Sequence, residues 1–212
     1  MAASWLSLAL DAEEPPIPRT LRAEVDAADW NAVSRIVQTG AGSPVTTSAG
    51  RLFDAVSALL GVRARVSYEG QAAAELEGLA DPNVKDAYAF SEEGGGEAPL
   101  VLDPRPAIRS IIADIDADEP VPTIAARFHN GLARATAAAA ERVCRERSLD
   151  LVVLSGGVFQ NRLLAERTFA ALEKAGVETL MPVVLPPNDG GIAFGQVAVA
   201  AARSAQACAD VR

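Results

Sequence analysis

Histidine is almost missing from this 212-residue sequence, which has only His129. One imidazole cannot build a His-rich zinc site. It is also the only candidate base for a Ser-His-Asp triad, and no such motif surrounds it. It lies beside the apolar face of a long helical stretch and reads as structural. Cysteine is nearly as scarce. Cys144 and Cys208 are far apart, with neither metal-ligand spacing nor a disulfide framework, which suits a cytoplasmic protein. Cations are outnumbered, 19 Lys and Arg against 28 Asp and Glu, for a net charge of -9. Phosphate backbones need clustered Lys and Arg, so nucleic acid is not an expected partner. Long apolar runs are absent too. The opening "MAASWLSLALDAEE" is apolar for only about ten residues, too short to span a bilayer, and no basic segment precedes it. No membrane role is expected. The stretch reads as an amphipathic helix with Trp5, Leu6 and Leu10 facing a core.

What is present is alanine and a hydrophobic half, enough to bury a sizeable core. "EEPPIPRT" breaks the chain after the first helix, because proline cannot sit inside one. In "EVDAADWNAVSRIV", Val25, Trp30, Val33 and Ile36 recur at helical spacing. Ser48 can cap a helix over "GRLFDAVSALLG", with Gly61 as its stop. Another Ala- and Leu-rich helix follows "SYEG". From Lys85 the pattern changes. "DAYAFSEEGGGEAPLVLD" reads as two strands around a glycine turn. "PAIRSIIADIDADE" is helical, with Pro106 in its first turn. The longest helix follows, with Thr123 as its cap and Ile124, Phe128, Leu132, Ala135, Ala139 and Val143 along one face. Then come strand "LDLVVLS", helix "NRLLAERTFAALEKAG" stopped by Gly176, strand "ETLMPVVL", loop "PPNDGG" and a last small-residue helix. The expected class is α/β. A helical subdomain over 1–84 forms a layer on an α/β lobe over 85–212, in one integrated domain.

Four stretches could carry chemistry. "LVVL" is a continuous apolar run, as in a strand buried on both faces. It leads into Ser155-Gly156-Gly157, where glycine lets backbone amides approach a ligand. The alternative is a tight turn with Asn161 capping the next helix. The string is neither GxGxxG nor a Walker loop. Asn188-Asp189-Gly190-Gly191 occupies the equivalent place one unit later. Asp189 there is either an N-cap or a carboxylate that could hold a metal ion, or organise one that bridges phosphates. Two such turns near one sheet edge could form a single site. Asp54, three residues after Arg51, is either half of a surface ion pair or a half-covered acceptor for ribose hydroxyls. Glu69 and Gly70 fall in a loop that, alone, is only a turn.

Taken in order, "SPVTTSAGRLFDAV", "YEGQAAAELE", "FHNGLA", "LSGGVFQNRLL" and "PPNDGGIAFGQ" resemble the carboxyl-terminal part of the HypF-type carbamoyltransferases of hydrogenase maturation. The likeness runs from "MAASWL" to about Ala202. It implies the second lobe of an actin-like ATPase (RNase H-like) fold, similar to the tRNA threonylcarbamoyltransferases. It also implies roles. Gly156, Gly157 and Asn161 would line an adenylate pocket with Ser155 at its edge. Asp54 would hold the ribose, with Gly70 and Glu69 against the same nucleotide, and Asp189 would be a metal ligand. The implied cofactors are ATP or carbamoyl adenylate and a divalent metal, Fe or Zn. The implied reaction moves a carbamoyl group onto the carboxyl-terminal cysteine of a HypE-like partner.

The sequence departs from that pattern. It has neither the family's first lobe nor the paired histidines that accompany Asp189 there. Activity by this chain alone is therefore not expected. A separately encoded first lobe, or a homodimer, would cover the surface left open. A non-catalytic interaction module and a lobe of a small-molecule O-carbamoyltransferase remain the alternatives.

Overall fold

The computed structural model describes residues 1–96 and 98–210. Four helices open the chain: α1 (Ala2–Leu10), α2 (Ala27–Thr39), α3 (Ala49–Leu59) and α4 (Gln71–Leu79). A hairpin of β1 (Ser91–Gly95) and β2 (Ala98–Asp103) follows, then α5 (Arg105–Asp116) and the long α6 (Val121–Arg147). The chain ends as β3 (Leu151–Val153), α7 (Arg162–Lys174), β4 (Glu178–Leu180) and α8 (Ile192–Asp210). Short 3-10 turns at Gly157–Gln160 and Asp189–Gly191 precede α7 and α8.

Local chemistry sets many of these limits. The Ser48 hydroxyl accepts from the Arg51 amide and caps α3, and Gly61 beyond its end takes φ 70°. Pro106 sits in the first turn of α5. Gly176, at φ 78°, lies just past α7. Thr123 is not the cap of α6: the helix begins two residues earlier, with Pro120 as its N-cap and no side-chain cap bond. Pro122 tolerates the first turn, where its missing amide would be unpaired in any case.

One core joins the helical layer to the rest. Leu6 of α1, Phe53 and Val56 of α3, Leu76 of α4, Ile108 and Ile111 of α5, and Phe128 of α6 belong to the same cluster. The sequence pattern overstated three faces. Leu10 is partly exposed, and on α2 only Trp30 and Ser34 are buried while Val33 and Ile36 face outward. Trp30 is drawn in by its indole, which donates to the Pro15 carbonyl at 2.7 Å. On α6 burial holds through Leu132, but Val143 is exposed. Ala137 and Cys144 farther along are buried, so the covered face at this end of the helix is not the one that carries Val143.

The second sheet departs most from expectation. β3 and β4 pair in parallel, Val152 beside Thr179 and Val153 beside Leu180, and among the described residues they are the whole sheet. Val152 turns toward a small cluster with Leu154 and Leu172, under α6 and α7. Leu151, Val153 and Leu180 point the other way and are exposed. The apolar run is therefore buried on one face only, although parallel sheets are normally covered on both. "ETLMPVVL" forms only three residues of strand, and Val183 and Val184 beyond it are 92% and 93% exposed. Ile192, Phe194, Val197 and Val199 of α8 are also exposed. No described helix is long and apolar enough to cross a membrane. The side chain of Cys208 lies outside the described set, while Cys144 is a buried thiol.

Candidate functional site

The two glycine turns are brought together. The Gly156 amide donates to the Pro187 carbonyl at 2.7 Å, and the Ser155 hydroxyl reaches the same oxygen at 3.4 Å. A Cβ placed on Gly157 would stand 4.0 Å from that of Asn188. This follows from the parallel pairing of β3 and β4: both strands end on the same side, so the loops leaving them are neighbours. Gly156 takes φ 102°, a conformation that side-chain-bearing residues rarely adopt. Ser155, Gly156, Gly157 and Asp189 are all exposed.

The cap of the second turn is Asn188 rather than Asp189: its side-chain oxygen accepts from the Gly190 amide at 3.0 Å. Asn and Asp are nearly equal as caps, so the sequence could not choose between adjacent residues. Asp189 is left with its carboxylate in solvent. Among the described residues, no group of three His, Cys, Asp or Glu side chains is arranged to hold a metal. Asp189 supplies one ligand at most, and the residues present do not make a metal centre.

Asp54 lies on α3, which packs against the 3-10 turn that follows Gly156. Its carboxylate is half-buried, forms no ion pair with Arg51, and titrates above the usual range. Partial burial is the main cause, opposed by Arg51 and the amino terminus and reinforced by Glu69. Glu69 is thus within electrostatic reach of Asp54. Gly70 takes φ 81° at the start of α4 with nothing near its absent side chain. Two depressions on the surface lie elsewhere. One is apolar, along Leu100, Val143 and Leu151; the other is mixed, with Ala74 and Leu163 beside Glu77, Arg162 and Glu166. Neither takes in half-buried Asp54 or the exposed Ser155 and Asp189.

Asn161 behaves differently from the turn it closes. It is buried, and both ends of its amide are used inside the protein. Its oxygen accepts from the Leu164 amide at 2.8 Å and so caps α7. Its nitrogen lies 2.9 Å from Nε2 of His129. Nδ1 of His129 lies 2.7 Å from the Ala125 carbonyl, which can only accept, so that nitrogen carries the proton and Nε2 accepts from Asn161. Glu77 on α4 occupies a further α7 amide, that of Leu163, at 3.0 Å. The start of α7 is therefore partly filled by the protein's own oxygens. Sequence reasoning missed Glu77, and it left His129 as a core residue without a partner.

Burial holds the His129 imidazolium down to a pKa of about 4, with nearby Arg167 acting in the same direction and the Ala125 bond opposing. The folded pKa is thus below the unfolded value, and the neutral ring contributes stability that is full above the unfolded pKa. As pH falls from 7 to 5, the unfolded chain takes up a proton that the folded chain refuses. The expected loss is on the order of 2 kcal/mol. Urea unfolding at the two pH values checks this, and the loss should shrink markedly in His129→Gln. An equal loss in that variant would rule out the imidazole as its source.

Comparison with known proteins places this geometry. Residues 1–196 match the family model "Carbamoyltransferase, Kae1-like Domain, second subdomain". The class is thus a carbamoyltransferase subdomain. The Carbamoyltransferase HypF of Synechocystis sp. is 39% identical over 155 residues, which cover 73% of this chain and 19% of that protein. That of Rhodobacter capsulatus is 39% identical over 180 residues, 84% of this chain and 22% of the relative. A crystal structure of full-length HypF in a phosphate- and nucleotide-bound form superposes with a TM-score of 0.78 at 35% identity, covering 86% of this chain and 28% of that one. HypF of T. kodakarensis gives a TM-score of 0.73 at 25% identity, over 92% and 26%. The chain belongs to the HypF family of carbamoyltransferases. It spans about a fifth of the length of these curated relatives.

Proposed function

We propose that this chain forms one wall of the nucleotide site of a HypF-type carbamoyltransferase, as the second lobe of an actin-like fold. The observation that carries the reading is the hydrogen-bonded pair of glycine turns beside the Asp54 helix. The exposed turn at Ser155–Gly157 would face an adenylate, Asp54 its ribose, and Glu69 and Gly70 the same nucleotide. In the reaction proposed, the cysteine thiolate of a HypE-like partner attacks the carbamoyl carbon of carbamoyl adenylate. A carbon–sulfur bond forms, the carbon–oxygen bond to the phosphate breaks, and AMP leaves with the electron pair. Such an anhydride needs positioning more than covalent help. Asp189 alone does not supply a metal, so no step is assigned to Fe or Zn.

The open β3–β4 face supports a complementary lobe or a second copy covering it. Three apolar side chains point outward from a two-stranded parallel sheet, which is not stable on its own. Calorimetric titration with ATP tests the first reading. Wild type is expected to bind, and Asp54→Ala to bind about tenfold more weakly, the 1.4 kcal/mol worth of one lost polar contact. Equal affinity in the two would sink the assignment of Asp54. The second reading, a self-associating interaction module, expects a light-scattering mass that rises with concentration. A constant monomer mass would exclude it.

A further inference from the structure

We propose that His129 is a positioning residue for the Ser155–Gly157 turn, holding that turn and the Asp54 helix in one arrangement through Asn161 and Phe53. The inference rests on the nucleotide-site reading above. It concerns what keeps the site in shape rather than what occupies it.

A turn built on glycine is permissive by nature. The Gly156 backbone is tied to Pro187, the Phe159 amide to the Gly156 carbonyl and the Asn161 amide to that of Val158, yet the turn is exposed along Ser155–Gly157. What anchors its far end is the Asn161 side chain. Serine, threonine or aspartate would cap α7 equally well. Among these caps only the amide carries its acceptor and its donor on separate atoms, so that its oxygen caps the helix while its nitrogen donates to a ring 32 residues earlier in the chain. The residue type at 161 is thus explained by the pair and not by the cap alone.

His129 can accept that bond because its other nitrogen is committed to Ala125. Its ring is then wedged between aromatics. Phe53 stands edge-on at 5.2 Å and Phe128 at 5.8 Å. Phe53 immediately precedes Asp54, and α3 itself packs on the 3-10 turn after Gly156. One buried ring therefore touches the elements that carry both sets of nucleotide-facing candidates. An apolar residue of similar bulk would fill the space but would leave the Asn161 nitrogen buried without an acceptor.

Hydrogen exchange on the purified chain tests this without any ligand. His129→Leu removes the acceptor, His129→Gln offers a carbonyl oxygen at similar reach, and Asn161→Ser keeps a capping oxygen but cannot span to the ring. His129→Leu and Asn161→Ser are expected to speed exchange in residues 155–164 about tenfold, with α5 unchanged and His129→Gln near wild type. Wild-type exchange in His129→Leu, or a uniform rise across the chain, would overturn the proposal, as would a glutamine variant no better than leucine. If the leucine variant does not fold, Asn161→Ser against His129→Gln decides the matter. Parallel ATP titrations separate the two readings. Wild type that fails to bind ATP counts against the nucleotide site, while exchange in 155–164 still decides the role of His129.

Discussion

Phe53→Ala is expected to destabilise the chain by about 4 kcal/mol, read from urea unfolding at neutral pH. Phe53 has no solvent exposure. Its ring meets Phe128 edge-on, with centroids 5.0 Å apart and planes at 76°, and meets His129 at 64°. Truncation would remove the transfer free energy of a benzyl group, leave a cavity, and cancel an aromatic pairing term of about 1 kcal/mol. The surrounding side chains come from several helices at once, so the hole cannot close by moving one of them. Set against a typical total of about 5–15 kcal/mol, this is a large share. Phe53→Leu keeps most of the volume and should cost much less. A loss under about 1 kcal/mol for alanine would mean the α3–α6 contact is not the tight one described. The same substitution should loosen the Ser155–Gly157 turn, because the ring it removes is the one that backs His129.

Gly131→Ala is expected to cost about 3 kcal/mol, against the usual direction of that change. Inside a helix, alanine normally gains about 1 kcal/mol over glycine. Gly131 lies within α6 and has an ordinary helical backbone, so propensity alone predicts a gain. But a Cβ there would be driven into the Tyr88 carbonyl and would stand 3.1 Å from the Phe90 ring. The segment carrying Tyr88 cannot retreat. Asn130 donates to the carbonyls of Val84 and Asp86 at 3.1 and 2.7 Å, and the Tyr88 amide donates to the Arg127 carbonyl at 3.1 Å. Gly195→Ala in α8 is the control, since nothing lies within 4 Å of the added carbon. It should be neutral or stabilising. Unfolding midpoints of the two variants side by side check the contrast, and a Gly131 variant at or above wild type would refute it.

These two predictions and the histidine pair converge on one string. "FHNG" contributes Phe128 to the core, His129 to Asn161, Asn130 to the segment crossing α6, and Gly131 to the close approach of that segment. The resemblance drawn from the sequence used the string as a family marker. It could not say why four unlike residues stand together, because their partners lie in parts of the chain remote from the string: Phe53, Asn161 and the segment from Val84 to Phe90.

Much of the site's placement was nonetheless legible. Strand-to-helix turns marked by glycine stood out at 155–157 and 188–191. Parallel strands must end on the same side, so their meeting was foreseeable. Which residue caps each helix was only half legible. Ser48 and Asn161 followed from residue type, whereas Asn188 rather than Asp189 was a choice between near-equals, and Thr123 yielded to a helix starting earlier at proline. Burial was legible where a helix lies under several neighbours and misleading where the covered face is narrower than the apolar one, as at Val143, Val33 and Ile36, each close to a buried residue.

The sequence by itself determined the helical start and the later α/β alternation. It also determined the hairpin, the two glycine turns and the family, because these depend on local periodicity, on turn chemistry and on ordered motifs. Tertiary structure decided the rest. It turned Asn161 inward to His129, assigned Glu77 to the start of α7, and covered the β3–β4 sheet on one face only. The reason is physical. A residue's type states which bonds it can make, but which partner arrives depends on chain that is 30 to 90 positions away.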